Sequence, residues 1–406
     1  MRRLLALLLA AVVAAGSLWV AAGHGTTGAY EGGYAAYPSA AQVSNFGYML
    51  GEYRARSASG DRPRLVFGSS ELNPVPAGPD HPASLFRRER LGMDPMVVGR
   101  ASCSSLWQAI EMGAFAHSTG EKRMVLFASI QWFMCYRAPR RELPGVFSEG
   151  AYESFMSDPK LSDGLKRRVT DRLAEYGIDR RWGSLGLLGL SRRADVAAHS
   201  LASDLRLRSG LALTGGVPFP GVSRAPAAGR RQPAGENRAD GPDWRAVISR
   251  ATDIARGHAS GNPYGFYDAW YRKYYRTWLE GVRQRWPNKL AAMGSYFSDQ
   301  EFEDFEMALE TCREEGIDLL VVIQPVKGAA YDRTVYTRDV RERYDARMRV
   351  LCGKYGAQVA DFSDHDYDPL FLRDYSHPSD LGGAYYSRAI YSFFKTGRAE
   401  VGEPES

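Results

Sequence analysis

The chain alternates short, wholly apolar segments with longer segments in which apolar residues recur at helical spacing. Small or polar residues bound the apolar segments, which is typical of strands covered on both faces. The predicted strands cover residues 65–67, 96–98, 124–128, 319–323 and 358–362. Because helical segments separate these strands, the pattern predicts an α/β fold with a parallel, doubly wound sheet, in which ligands bind at the carboxyl ends of the strands.

Helical spacing predicts where the chain crosses between strands. One predicted helix follows Ser104, and four others cover about 154–176, 299–315, 338–354 and 382–394. Within the predicted helix over 154–176, residues 157–159 form a candidate start. Tyr, Trp and Arg recur at helical spacing over 264–286, so this segment either packs on the core as a helix or lines an aromatic surface groove.

The N-terminal segment predicts the compartment. Residues 4–22 carry no charge and follow Arg2 and Arg3, which orients everything after residue 30 away from the cytoplasm. The segment is read either as a cleaved signal peptide or as an uncleaved anchor. Because it is longer than the usual apolar region of a signal peptide, we favour a single-pass anchor over residues 1–30, with an extracytoplasmic domain.

Composition divides the rest of the chain. Residues 31–60 are rich in Gly, Ala and Tyr and are interpreted as a stalk, which leads to a folded domain over 61–396 and a tail over 397–406. Residues 215–242 hold six Gly and five Pro without apolar periodicity, so we expect a flexible surface insertion there.

Charge and cysteine content limit the function classes. Lys and Arg exceed Asp and Glu by 52 to 47 without forming a basic face, so nucleic acid is not an expected partner. The four cysteines lack the spacing of a zinc site. In an oxidising compartment Cys103 would pair with Cys135 and Cys312 with Cys352, and four buried free thiols are the alternative.

Ser70 is the candidate nucleophile. It stands in the first tight turn after a predicted buried strand, where neighbouring backbone N–H groups can stabilise an oxyanion. The alternative is an ordinary turn, since Gly-Ser-Ser is common turn chemistry.

A nucleophilic serine needs a base, and two histidines near the end of the chain are candidates. His377 could take the Ser70 proton while Asp374, three residues earlier, orients the imidazole. His365 is the competing base, and it lies in an acidic run at 361–368. Counted as a calcium loop, that run lacks the required Gly and Glu, so we expect no metal and no cofactor.

Other strand ends supply candidate oxyanion or substrate-binding groups. Gly99 allows close backbone approach, Gln131 offers a side-chain amide, and Ser69 adjoins the candidate nucleophile. For Gly99 the alternative is a turn glycine, and for Gln131 a loop glutamine.

Taken in order along the chain, these residues resemble the SGNH hydrolase pattern, and within it the DltD family of D-alanyl–lipoteichoic acid biosynthesis. The matching stretches are the N-terminal apolar segment, Phe67-Gly68-Ser69-Ser70-Glu71-Leu72, Val98-Gly99-Arg100, Ser129-Ile130-Gln131-Trp132-Phe133, Tyr296-Phe297-Ser298, Gln324-Pro325-Val326, Val359-Ala360-Asp361-Phe362 and Asp374-Tyr375-Ser376-His377 before Gly382-Gly383. After Val326 the family usually has Asn and then a Trp-Tyr pair, whereas this chain has Lys327 and then Tyr331.

The resemblance implies a three-layer α/β/α, flavodoxin-like domain on a membrane anchor. It also implies the transfer of D-alanine to teichoic or lipoteichoic acid hydroxyls outside the membrane, through an acyl group on Ser70. The implied partners are a D-alanyl donor, which is a carrier or a membrane protein, and a multispanning membrane acyltransferase. Two other functions stay open: an esterase or thioesterase that hydrolyses another acyl ester, and a scaffold without catalysis that recruits teichoic acid or a carrier protein.

Overall fold

The computed structural model describes residues 36–37, 40–58, 63–72, 93–134, 142–178, 241–274 and 296–404, together with Pro82, Leu85 and Phe86. Their strands form a single parallel sheet in the order β1-β3-β2-β4-β5-β6. The strands are β1 (Ala36–Tyr37), β2 (Pro63–Phe67), β3 (Asp94–Val98), β4 (Arg123–Ala128), β5 (Asp318–Ile323) and β6 (Gln358–Asp361). The predicted α/β class and the five predicted strands are confirmed, and the two-residue edge strand β1 was not predicted.

The described α-helices connect and flank these strands. They are α1 (Ala40–Val43), α2 (Phe46–Ala58), α3 (Ser105–Thr119), α4 (Ile130–Phe133), α5 (Glu149–Ser157), α6 (Asp163–Glu175), α7 (Trp244–His258), α8 (Asp268–Tyr274), α9 (Asp299–Glu315), α10 (Gly328–Tyr331), α11 (Arg338–Tyr355) and α12 (Asp380–Thr396). Short 3₁₀ turns follow β2 and β6, at Ser70–Leu72 and Ser363–Tyr367.

Alternate strand residues pack into two apolar layers. Leu65 and Phe67 of β2 join the cluster formed with α2, α3, α5, α6, α9 and α11, while Val66 joins the cluster with α7 and α12. Because successive side chains of a strand point to opposite faces, helices cover both faces of the sheet. The architecture is therefore three layers, α/β/α, with the strands from β2 to β5 almost fully buried.

Two sequence expectations are wrong in the described residues. Residues 40–58 do not form a stalk, because Val43, Phe46, Met49 and Tyr53 recur at helical spacing and are buried in the core. The predicted helix over 154–176 is instead two helices, α5 and α6, which are separated where Pro159 removes a backbone donor.

The disulfide expectation is also corrected. Cys312 and Cys352 are free, buried thiols, and so is Cys103. Burial in apolar surroundings raises their thiol pKa values, to about 12 for Cys352. The expected Cys312–Cys352 bridge is therefore wrong, and Cys135, the expected partner of Cys103, lies outside the described residues.

Several expectations fall outside what the structure describes. The anchor over 1–30 does, as do nearly all of the insertion over 215–242 and the aromatic segment beyond Tyr274. Within the described ranges, no helix has the length and apolar character needed to span a membrane. The C-terminal tail is described to residue 404, and it folds back on α12, where the Arg388 guanidinium donates to the Gly402 carbonyl (2.7 Å).

Candidate active site

The carboxyl edge of the sheet brings the candidate residues together. Strand β2 lies between β3 and β4, so the chain leaves β2 toward one side of the sheet and later returns on the other. Such a reversal opens a crevice at the carboxyl ends of the strands, where ligands bind in open α/β sheets. Ser70 is the first residue of the 3₁₀ turn that directly follows β2, and it is partly exposed at this crevice.

Ser70, His377 and Asp374 form a continuous hydrogen-bonded chain. The Oγ atom of Ser70 lies 3.1 Å from Nε2 of His377, although 307 positions separate the two residues. The other ring nitrogen, Nδ1, lies 2.9 and 3.0 Å from the two carboxylate oxygens of Asp374. The imidazole therefore bridges a hydroxyl and a carboxylate, while 19% of its side-chain surface stays exposed.

The backbone around Asp374 holds the carboxylate in place. Its Oδ1 atom accepts hydrogen bonds from the N–H groups of Ser376 and His377, both at 2.9 Å, as in an Asx turn. The loop is closed beneath them by a bridge between Leu372 and Pro378 and by the N–H of Arg373 donating to the His377 carbonyl (3.0 Å). The loop thus orients both the carboxylate and the ring.

The local charges keep Asp374 ionised. Burial by itself would raise the pKa of this carboxyl, but the charge and hydrogen bond of His377 oppose it. The guanidinium of Arg373 and the N–H of Ser376 add to this opposition, and the net result lowers the Asp374 pKa to about 2. A permanently charged acceptor therefore faces Nδ1 at neutral pH, which favours the tautomer that leaves Nε2 free to accept a proton.

Gly99 allows the ends of β2 and β3 to approach closely. Its φ is +139°, and a Cβ there would stand 1.9 Å from the Gly68 carbonyl oxygen. Only glycine fits this backbone conformation without displacing the Gly68–Ser70 turn. The same Gly68 carbonyl accepts a hydrogen bond from the Gln108 amide of α3 (2.8 Å), which fixes the turn from its other side.

Gln131 and Ser69 are both buried, and each already has a protein partner. Ser129 caps α4, and the Gln131 side-chain amide donates to the hydroxyl of Tyr331 (2.9 Å) in α10. The second N–H of this amide is not needed for that bond. The backbone N–H of Ser69 donates to Oε1 of Glu71. Any contribution of Ser69 to substrate binding would therefore come from its hydroxyl.

Glu71 is a buried acid beside the nucleophile that sequence reasoning did not single out. Burial raises the pKa of its carboxyl to about 7, against the opposing hydrogen bonds from its own N–H and that of Ser69 and the charge of His377. A Glu directly after a candidate nucleophile was visible in the sequence, but its burial depends on tertiary packing that no local pattern shows.

The competing base, His365, has other contacts. Its ring stacks on Phe371 with centroids 4.1 Å apart, and its Nδ1 lies 3.5 Å from the Asp368 carboxylate. Of the two candidate histidines, His377 is the one within hydrogen-bond distance of Ser70. Across the described ranges, no three His, Cys, Asp or Glu side chains are grouped so that they could hold a metal ion.

The arrangement suits nucleophilic chemistry at a carbonyl. A hydroxyl within reach of an imidazole can lose its proton as it attacks, and a buried carboxylate stabilises the imidazolium that forms. Backbone N–H groups at a tight turn after a strand can stabilise the negative charge that develops on the carbonyl oxygen.

Comparison with known proteins identifies relatives over most of the chain. The profile of the family described as DltD protein matches residues 48–395. Protein DltD of Bacillus subtilis (strain 168) is 23% identical over 338 residues, which cover 82% of each chain. The corresponding values are 21% over 340 residues for protein DltD of Staphylococcus aureus (strain NCTC 8325 / PS 47), with 84% of this chain and 81% of that protein covered. They are 22% over 375 residues for protein DltD of Lacticaseibacillus rhamnosus, with 89% and 84% covered.

Proposed function

Because the chain belongs to the DltD protein family, we propose that it transfers a D-alanyl group to hydroxyls of teichoic or lipoteichoic acid through an acyl group on Ser70. Membership of this family implies involvement in the D-alanylation of teichoic acids. The observation that supports a covalent route is the 3.1 Å contact between Ser70 Oγ and His377 Nε2, with Nδ1 held by the buried Asp374 carboxylate.

In the first step of the proposed reaction, Ser70 Oγ attacks the carbonyl carbon of an activated D-alanyl thioester or ester. The hydroxyl proton passes to Nε2 of His377, and the imidazolium is stabilised by Asp374. The tetrahedral intermediate then collapses, its bond to the leaving group breaks, and that group takes the proton from Nε2. The product is an ester of D-alanine on Ser70.

In the second step, a polymer hydroxyl loses its proton to Nε2 and attacks the Ser70 ester. The bond to Oγ breaks, Ser70 regains the proton, and the D-alanyl ester is left on the polymer. In both steps the proposed hydrogen-bond donors to the oxyanion are the backbone N–H of Ser70 and the Gln131 amide. The backbone at Gly99 is proposed to approach the oxyanion closely.

Water competes with the polymer for the acyl group, since the His377 ring is partly exposed. Transfer is favoured when the acceptor is held near the site at high effective concentration. An N-terminal anchor that places the domain beside an anchored polymer outside the cell membrane would provide this, and a multispanning membrane acyltransferase is the proposed source or relay of the D-alanyl group.

A fluorophosphonate probe tests the activated serine directly. We expect stoichiometric labelling of the full-length chain, measured by intact mass, and loss of labelling in Ser70→Ala and His377→Ala. His365→Ala is the matched control, because His365 also follows the sheet edge but contacts Asp368 rather than Ser70, and it should label like the wild type.

Product analysis then separates transfer from the alternatives. A small D-alanyl thioester takes the place of the probe and forms the acyl-enzyme. The acyl-enzyme is then offered either water alone or a polyol phosphate. Ester formation on the polyol supports transfer, whereas release of free alanine at an equal rate in both arms supports a hydrolase. A folded wild-type chain that neither labels nor acylates would refute the covalent mechanism and favour a scaffold.

A further inference from the structure

The ammonium of Lys327 is buried at the base of the loop that carries Asp374 and His377. Only 2% of Lys327 is exposed, and its Nζ atom donates to three main-chain carbonyls. These belong to Gly265 (3.2 Å), Pro369 (2.8 Å) and Leu372 (2.8 Å). An ammonium has three N–H donors, so each donor has one carbonyl partner.

The same lysine contacts this loop a second time. Its backbone N–H donates to the carbonyl of Tyr375 (2.9 Å), which lies between Asp374 and His377. The segment that supplies the Gly265 carbonyl is tied to the loop as well, since the N–H of Tyr267 donates to the Arg373 carbonyl (2.8 Å). Lys327 therefore joins the end of β5 and the segment before α8 to the loop of the candidate site.

Two carboxylates balance the charge of this ammonium. Burial lowers the pKa of Lys327 to about 8, and Asp374 and Asp368, which face it from the loop, oppose that shift. The segment before α8 presents the ring of Phe266, with Nζ 5.3 Å from its centroid. The ammonium is thus held by carbonyls, one aromatic face and two acids, one of which orients His377.

We infer that Lys327 is a positioning residue for the Ser70–His377–Asp374 site: its ammonium fixes the loop so that His377 Nε2 stays within reach of Ser70 Oγ. This inference rests on the proposed function. An apolar side chain at this position leaves three inward-facing carbonyls without donors, and the loop relaxes to hydrate them. Loss of the proton from Lys327 in alkaline solution removes the charge and one of the three N–H donors, so one of these carbonyls loses its partner and the loop is held less firmly.

Activity and stability should therefore respond to alkaline pH in opposite directions. The folded-state pKa of about 8 lies below the ordinary lysine value of 10.5, so the unfolded chain binds more protons between these values. The contribution of Lys327 to the free energy of unfolding consequently rises with pH across that window. The reactivity of Ser70 falls over the same window, because the loop loses its ammonium.

The test compares wild type, Lys327→Met and Lys327→Arg as full-length chains. Lys354→Met is the control, since Lys354 is exposed and pairs with Glu306 on the surface. We expect Lys327→Met to react with a fluorophosphonate roughly 100-fold more slowly than wild type at neutral pH, because a small displacement of a catalytic group has effects of that size. Lys327→Arg should recover part of the rate, and Lys354→Met should match wild type.

Two readouts keep the inference falsifiable. The wild-type rate should fall with an apparent pKa near 8, and a wild-type rate that stays level through this region overturns the inference even if Lys327→Met does not fold. The low-field proton resonance of the His377 Nδ1–H that faces Asp374 is the second readout, since it needs no reaction at Ser70. If the wild type is unreactive, the proposed function fails. Loss of the resonance in folded Lys327→Met then still supports the positioning role, whereas its retention overturns it.

Discussion

Replacing Asp374 with asparagine changes one atom at the centre of the proposed mechanism. In the wild type, Oδ1 accepts from two backbone N–H groups, and Oδ2 lies 2.9 Å from His377 Nδ1. The Asn oxygen must take the Oδ1 position, because the backbone donors require an acceptor. The Asn nitrogen then replaces Oδ2, the nearer acceptor for Nδ1, and can bond there only if Nδ1 has no proton. The Oδ1 position also lies 3.0 Å from Nδ1, but the Asn oxygen there already accepts from two backbone N–H groups and is the weaker acceptor for a third donor.

The imidazole therefore changes tautomer in Asp374→Asn, and Nε2 carries the proton. A protonated Nε2 cannot accept the proton of Ser70, so the attack loses its general base. By analogy with serine proteases, we expect the rate to fall by about 10⁴, or about 5 kcal/mol in activation free energy.

The same substitution has a smaller effect on stability. The Asp374 pKa of about 2 compares with an ordinary aspartate value of 3.8, and for this buried carboxyl the difference corresponds to about 2 kcal/mol of stability at neutral pH. Because the folded-state pKa is depressed, this contribution is complete above about pH 4 and is lost as the pH falls toward 2. Asp374→Asn should therefore have a lower free energy of unfolding than wild type at pH 7. Under acid conditions the difference in free energy of unfolding between the two proteins should become smaller.

Fluorophosphonate labelling measured by intact mass tests the effect on the rate, and urea unfolding at pH 7 and under acid conditions tests the effect on stability. Asp364→Asn is the control, since its side chain is 80% exposed at the same edge of the sheet. Labelling of Asp374→Asn within tenfold of wild type would refute the tautomer argument.

Three further substitutions test the framework around the site by urea unfolding. Gly99→Ala places a Cβ 1.9 Å from a main-chain carbonyl oxygen and should lower the free energy of unfolding by more than about 3 kcal/mol. Gly356→Ala, with φ +74° and open space around the Cβ, should lower it by about 1 kcal/mol. Equal losses in the two variants would contradict the packing argument. Glu71→Gln removes a buried carboxyl whose pKa is raised from 4.5 to about 7. It should therefore stabilise the fold by up to about 3 kcal/mol at pH 8 and by little at pH 4.5. A stabilisation that does not depend on pH would contradict the raised pKa as its cause. Arg341→Met removes a buried guanidinium from the largely buried Asp366 and the partly exposed Asp332, and it should lower the free energy of unfolding by about 3 kcal/mol. Arg338→Met on the surface should leave the urea midpoint unchanged, and similar midpoints for both variants would contradict a role for the buried guanidinium.

The sequence predicted most clearly those elements whose signals are local. Helix α9 begins and ends where its pattern predicts, because Ser298 caps its start and Gly316 adopts the left-handed conformation at its end. Buried strands such as β5 were visible as short apolar segments between polar residues. The position of Ser70 after β2 followed from the same pattern.

Elements that depend on tertiary packing were missed. The apolar positions of α2 are diluted by Gly, Ala and Arg, and their burial comes from neighbouring helices rather than from a local pattern. His377 was predicted as the base from its place after the last strand, but its 3.1 Å approach to Ser70 depends on how the loop after β6 folds, which no local pattern encodes. Lys327 gave no signal of burial, since a lysine is rarely buried and its three acceptors are backbone atoms from distant segments.

The distance in sequence between Ser70 and His377 has a consequence for synthesis. The two residues lie 307 positions apart and meet only when the first and last thirds of the chain come together. Contacts of such high sequence separation form late in folding, because the loop-closure entropy must be overcome first. A nascent or truncated chain that lacks the final loop would carry Ser70 as an ordinary alcohol. Reactivity would therefore be withheld until the polypeptide is complete, and a probe for the activated serine would also report on the integrity of the C-terminus.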